Sequence, residues 1–380
     1  MLALRLARGA HPLVLLRRLM VAAASAGVGF LLLCTLSYAV AGPHPSDPAL
    51  LRLAWCLAPL AATVQFAVAV ARTDPGARPR QGLSAVGLGP VRLTALAAAS
   101  TAVSCTLGSM VALLFFLHLR GDLTGMPFDG DAAELLAAGQ PLPLGAVLLL
   151  LALVPVVGAG AAALALRPRR SVWGEGIDDD EPEPAFEAPP GGLPWGVALT
   201  AVGAAVEAYA GRGTGGGGGT PAGVLAGWTL TAVGLAMAGP GIAHVCGRVL
   251  QSLHPGAVRL LAGRALMDDA RRIGRPLGVV SAVVSALIAA SALAGERPQP
   301  FGPLTGLGAA LVVACTVAAL LTSALEAKHA RATTREGLLD LGAPAGLLRA
   351  TAALRAVVLL LVFAPITWAV AELAALPLRR

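Results

Sequence analysis

Apolar residues in this chain come in long blocks, and the charges fall between them. Nine blocks stand out, at 19–41, 53–71, 93–117, 143–166, 195–210, 222–245, 277–295, 303–324 and 356–376. A helix crossing a bilayer needs about 20 mostly apolar residues, so each block is long enough, with 195–210 the shortest. The blocks are rich in Ala, Gly, Leu and Val and show no alternation of apolar and polar residues. Helices are therefore predicted, not the strands of a barrel. The first block follows Arg5, Arg8, Arg17 and Arg18. Its length of about 23 residues exceeds the apolar core of a signal peptide and predicts a retained first helix.

The cations assign the two sides. With the N-terminus in the cytoplasm, 22 of the 28 basic residues fall in inner segments and 6 in outer ones, the asymmetry that the positive-inside rule expects. Residues 171–194 carry Glu175, Asp178, Asp179, Asp180, Glu181, Glu183 and Glu187 among prolines. This stretch is assigned to the inside as a solvated linker, because acids weigh little in the rule. The outer loop Gly211–Gly219 contains five consecutive glycines and has no phosphate-loop signature. The longest outer loop, 118–142, is too short for a separate outer domain.

Composition narrows the class. The chain of 380 residues is 56% hydrophobic and 13% charged, with a mean hydropathy of +0.76. That excludes a disordered chain and leaves too little polar surface for a water-soluble globule. The net charge of +7 is nearly all arginine, since Lys328 is the one lysine. In so apolar a chain it reads as cytoplasmic-loop charge and not as a nucleic-acid surface. Cys34, Cys56, Cys105, Cys246 and Cys315 lie in or beside apolar blocks and form no C-x-x-C pair. They read as core residues, and no metal or cofactor site is predicted. No HExxH or GxSxG motif occurs, so nothing points to an enzyme. Glu207 and Glu372 lie near the outer ends of their blocks and are expected at headgroup depth; His244 is expected near the inner interface.

Two inner loops are alike. Residues 80–90 read RQGLSAVGLGP, and residues 335–345 read REGLLDLGAPA. At an offset of 255, Arg80 matches Arg335, Gly82 matches Gly337, Leu83 matches Leu338 and Gly87 matches Gly342. Each reads as a short amphipathic helix closed by a glycine, with Leu83 and Val86, or Leu338 and Leu341, on one side. Such a helix suits the membrane surface or a groove on a partner. A second segment, RLLAGRALMDDARRIGRP at 259–276, is amphipathic, with Leu261, Ala265 and Met267 opposed to Arg264, Arg271 and Arg272. It is expected to lie in the headgroup layer.

The paired R-[QE]-G-L-x-x-x-G loops resemble the R-x-E-x-x-x-L-R-x-L-G-A pattern of FtsX-like permeases of the ABC transporter superfamily. The LAGRALMDDARRIGRP segment is similar to that family's L-A-x-R-x-L-x-x-x-P-R-R entry to a permease half. The likeness covers roughly 15–376. It implies an all-α polytopic membrane protein with two related halves, and the nine blocks fit it as 4 + 2 + 3. The divisions are an N-terminal segment 1–18, a first half 19–166, a linker 167–194, a middle pair 195–245, a basic segment 246–276 and a second half 277–380. The family's duplicated form carries ten spans, so the second half here lacks the counterpart of 143–166. Gln81 also departs from the family's acid, which Glu336 matches.

The resemblance further implies a permease subunit with no catalytic role and no cofactor. ATP would be hydrolysed by a separate cytoplasmic ABC ATPase, in two copies, because G-x-x-x-x-G-K-[ST] does not occur here. In the family the loop between the second and third spans of a half meets the ATPase. Carried over, that implies Arg80, Leu83 and Gly87 in the first half, and Arg335, Glu336, Leu338 and Gly342 in the second. Export or extracytoplasmic release of a substrate across a bacterial-type cell membrane is the expected function. The alternatives are an ATPase-independent secondary transporter and a signalling or structural membrane protein.

Overall fold

The structure is a computed structural model. It describes residues 12–41, 46–73, 90–123, 132–133, 136, 138–167, 191–212, 221–252, 256–294, 303–342 and 344–375. Among these there is no strand. Ten helices occur in the order α1 (Pro12–Val40), α2 (Ser46–Thr73), α3 (Pro90–Arg120), α4 (Leu144–Leu166), α5 (Leu193–Arg212), α6 (Pro221–Ser252), α7 (Ala257–Ala294), α8 (Pro303–Ala330), α9 (Ala332–Asp340) and α10 (Ala345–Ala375). Among the described residues, all but α9 are long and apolar enough to cross a membrane. The chain is thus a helical protein of multi-pass membrane type. In hydrocarbon each backbone polar group must find its partner inside the segment, which helices do. Large apolar side chains such as Leu149, Leu107 and Leu361 are exposed on helix flanks, where lipid rather than water suits them.

The chain divides into two compact units, Met1–Arg170 with Phe301–Ala319, and Ser171–Pro300 with Leu320–Arg380. The division falls within α8. In the first unit α1 packs on α3, with α2 and α4 against both. The α1–α3 approach is close because small residues meet: Gly108 lies against Ala22 and Ser25, and Gly29 against Ala112. Partner numbers rise together, so the two helices run parallel. Ser25 Oγ reaches the Cys105 carbonyl at 3.2 Å, and Ser109 Oγ donates to the Leu151 carbonyl of α4 at 3.2 Å. The core holds Val21, Val28, Leu31, Phe66 and Cys315. At the other end of these helices Phe30 sets its ring edge-on to Phe115 and Phe116, at 5.7 and 6.4 Å.

The stretch after α3 is part of that core. Gly121, at φ +89°, reverses the chain. Its amide donates to the His118 carbonyl and the Asp122 amide to the Leu117 carbonyl, at 3.1 and 3.0 Å, a Schellman closure. Leu136 is then buried among Leu33, Phe116 and Val147. Arg120 holds it there, donating to the carbonyls of Gln140 and Ala138 and lying 3.6 Å from Asp122.

The second unit is built on α6, which packs between α5 and α7, with α10 against α7. Here glycine decides the geometry. Gly196, Thr200 and Gly203 of α5 face Ala238, Gly234 and Thr231 of α6, and Gly227 faces Glu207. Both helices carry the same G-x-x-x-T-x-x-G spacing, at 196–203 and 227–234. Run antiparallel, each glycine takes the other's threonine turn. Small residues at such spacing let membrane helices touch backbone to backbone. The α6–α7 contact continues the scheme, with Gly239 against Gly274, Gly278 against Leu235, and Gly247 against Gly263 and Met267.

One expectation is corrected. Segment 259–276 does not lie separately in the headgroup layer. It is the first half of α7, continuous through Pro276 into the apolar part, and α6 runs beside it as far as Gln251. Its buried face is Ala262, Gly263, Leu266, Asp269, Ala270 and Gly274, not the Leu261–Ala265–Met267 face. Close packing on α6 selects the side that carries the glycines. Glu207, expected near the outer end of its block, is 2% exposed and turned into the α5–α6 contact against Gly227.

Candidate functional site: α9 and its charged root

Helix α9 is short, and most of what is described of it is exposed. Arg335, Glu336 and Gly337 are exposed along it, and Leu341 just beyond it is 86% exposed. Leu338 lies within α9. Leu341 is the residue that caps the end of the helix. Gly342 ends the turn at φ +86°, a left-handed conformation that glycine adopts without steric cost. Its amide donates to the Leu339 carbonyl at 2.9 Å, and the Leu341 amide to the Gly337 carbonyl at 3.1 Å. Arg80, Leu83 and Gly87 lie outside the described residues.

The start of α9 is less ordinary. Arg331 occupies the cap position, and its carbonyl accepts the Arg335 amide at 2.9 Å. Arginine is a poor cap: it accepts no helix N–H and adds positive charge to the positive end of the helix dipole. Its side chain is engaged elsewhere, forming an ion pair with Asp269 of α7. The Asp269 side chain is 7% exposed, and Arg355 Nη1 of α10 donates to the same carboxylate oxygen at 3.4 Å. One buried carboxylate thus joins the root of α9, α7 and α10. Burial first and the like charge of Arg355 second push the Arg331 guanidinium down to about 10, so it is charged at neutral pH. Removing one partner from a buried ionic cluster is strongly destabilising, because the others stay buried and uncompensated.

Sequence reasoning gave the exposed parts of α9 and missed this root. Arg331 and Arg355 read as two of many inner arginines. Asp269 reads as one acid in a basic segment. The available signal was its register: Asp269 follows Ala262 by seven and precedes Gly274 by five, within an otherwise small and apolar stripe.

Other candidate chemistry is sparse. Among the described residues no group of three or more His, Cys, Asp or Glu is placed to hold a metal. The five cysteines are buried and free. Glu207 Oε1 has no hydrogen-bond partner, nor have Thr231 Oγ1 and Trp228 Nε1 on the facing helix.

No family model, no curated protein and no solved structure matches the chain. Its reading rests on its own residues and geometry.

Proposed function

We propose that the chain is the permease subunit of an ABC-type exporter in a bacterial-type cell membrane, with its N-terminus in the cytoplasm and nine spans as 4 + 2 + 3. A separate cytoplasmic ATPase, in two copies, docks on α9 and on the loop containing Arg80, Leu83 and Gly87. ATP-driven closure of that dimer moves the loops, and the spans carry the motion to the outer face, where substrate leaves.

The observation that supports this reading is a register. Helices α3 and α10 have 31 residues each, and 90 to 345 and 120 to 375 are both steps of 255, the offset that aligns the two R-[QE]-G-L loops. In each unit the helix that carries this register packs parallel to the one two spans before it, α3 on α1 and α10 on α7. A duplicated half would leave this pattern. The exposed Leu341 and the capped end of α9 suit a helix that seats in a partner's groove.

The test is affinity purification of the tagged protein from its native membrane. The expected result is a co-purifying ATPase at near-stoichiometric yield, lost on Leu338→Asp with Leu341→Asp. Recovery of the intact protein with no ATPase would overturn the reading. One observation favours a second reading, an ATPase-independent secondary transporter. Glu207 is a buried carboxylate inside a span, the kind of residue that marks an ion pathway. Transport that persists without nucleotide and stops on Glu207→Gln would select it.

A further inference from the structure

Glu207 lies in the apolar stretch Leu193–Ala210 of α5 and is 2% exposed. Its backbone amide and its Cγ press on α6: a Cβ at Gly227 would stand 2.9 and 3.0 Å from them. One turn away, a Cβ at Gly203 would stand 2.4 Å from Thr231 Oγ1. Glu207 Oε1 is shut off from solvent and accepts no hydrogen bond. The nearby donors are not turned to it. Thr200 and Thr229 each donate to a carbonyl of their own helix, at 2.8 and 2.9 Å. Thr231 Oγ1 and Trp228 Nε1 are without partners, so neither reaches it.

Nor does a described cation offset its charge. Helix α6 is the main neighbour of α5, with α10 beside it. The titratable groups of α6 are His244, Cys246 and Arg248, 17 or more residues past Gly227, or about 25 Å and more along the helix. Those of α10 are Arg349 and Arg355 near its start and Glu372 near its end. Glu372 is close in sequence to Ala374 and Ala375, which cluster with Trp228 and with Ala289 of α7. Helix α7 carries no charge after Arg275. On α5 itself Tyr209 is 83% exposed, and the Arg212 side chain lies outside the described residues.

We propose that Glu207 is a proton-binding site whose occupancy is tied to the closure of α5 on α6. With the two helices closed, the carboxylate takes one proton from a hydronium ion. An O–H bond forms, water is left, and the side chain carries no charge. When the proton returns to water the carboxylate is charged and requires hydration, which the contact at Gly227 denies it. Loss of the proton and parting of the helices near Gly227 are then one event, and by reciprocity whatever holds the helices together favours the bound proton.

The choice of ligand follows from the surroundings. A lone charge in an apolar interior is strongly unfavourable. Asp269 shows what a charged buried acid has in this protein, two guanidinium groups. A hard metal cation takes about six oxygen ligands or more, and among the described residues no group of three or more His, Cys, Asp or Glu is placed to hold one. A proton needs one oxygen. The proposal deepens the second reading above by naming its ion, and the site itself requires no transport.

The experiment is infrared spectroscopy across a pH series on the full-length protein in lipid nanodiscs. The carbonyl stretch of a protonated carboxylic acid is expected at neutral pH and is expected to vanish at alkaline pH. Glu207→Gln should remove it, and Glu372→Gln should keep it. Spin labels on Tyr209→Cys and Ala226→Cys, both exposed positions, read the helix contact, since the five native cysteines are buried. Their separation is expected to grow from neutral to alkaline pH, and to stay fixed when Glu207→Gln is added. The wild-type pH series serves by itself if that variant fails to fold.

Absence of the acid band at neutral pH, or a band that Glu207→Gln leaves in place, would overturn the site. A label separation that is constant while the band disappears would overturn its tie to closure, as would one that grows equally with Glu207→Gln. An acid band at Glu207 in a protein that transports only with nucleotide would leave the site standing and remove the secondary-transporter reading. Transport without nucleotide in a protein that shows no acid band would do the reverse.

Discussion

Asp269 and Glu207 are both acids turned into helix contacts, and their surroundings differ in kind. Asp269 faces two guanidinium groups. Glu207 packs against Gly227, with one oxygen unpartnered. The first arrangement holds elements together; the second is a lone carboxylate buried in a tight helix contact. That packing depends on single hydrogen atoms. At Gly274 a Cβ would stand 2.5 Å from Pro240 Cα and 2.8 Å from the Gly239 carbonyl carbon. These are backbone atoms that no rotamer change can move. Gly274→Leu is therefore expected to force α6 and α7 apart and to destabilise the protein by about 1–3 kcal/mol or more. A lowered midpoint for thermal unfolding in detergent would show it. Gly145→Leu, where a Cβ meets nothing within 4 Å, is the control and should leave the midpoint in place.

At the scale of elements, α7 and the stretch after α3 show how a polar sequence becomes part of a packed body. Residues 259–276 look like a surface helix because their charges are many. They become a continuation of a span because Gly263, Gly274 and Gly278 give α6 a backbone to lie on. Pro276 leaves the helix unbroken, as prolines in membrane helices often do when neighbours support the freed carbonyl. The stretch after α3 is fastened by Arg120, which is 5% exposed and gives its hydrogen bonds to main-chain carbonyls. Arg120→Ala leaves those carbonyls unpaired and is expected to release 132–143, at a cost of about 1.5–3 kcal/mol for charge-assisted bonds. Limited proteolysis from the outer side should then cut within 132–143 in the variant and not in the wild type.

For the whole molecule the sharpest expectation is sidedness. Gly139 follows three candidate spans and Gly337 follows eight, so the two positions are expected on opposite faces, and the arginine asymmetry predicts Gly337 inside. Both glycines are exposed with open space around a new Cβ, and the five native cysteines are buried. Single cysteines placed there should react cleanly with a membrane-impermeant maleimide. Gly139→Cys is expected to be labelled in right-side-out vesicles and Gly337→Cys in inside-out ones. Labelling of both from one side would remove the nine-span count.

The positions of the spans were legible because bilayer thickness imposes a length and a composition that survive without knowledge of neighbours. The same holds for Gly342, which closes α9 through local geometry. What the linear pattern could not carry was which side of each helix is buried. A span apolar on every face has almost no moment to orient it. The side is chosen by matching glycines on another helix, as in the Gly203–Thr231 and Gly239–Gly274 contacts. Asp269 follows from the same cause. Only after α6 selects a face of α7 does one acid among several become a buried anchor for Arg331 and Arg355, 62 and 86 residues away. Burial in a helix contact is a property of two surfaces, and one sequence segment contains only one of them.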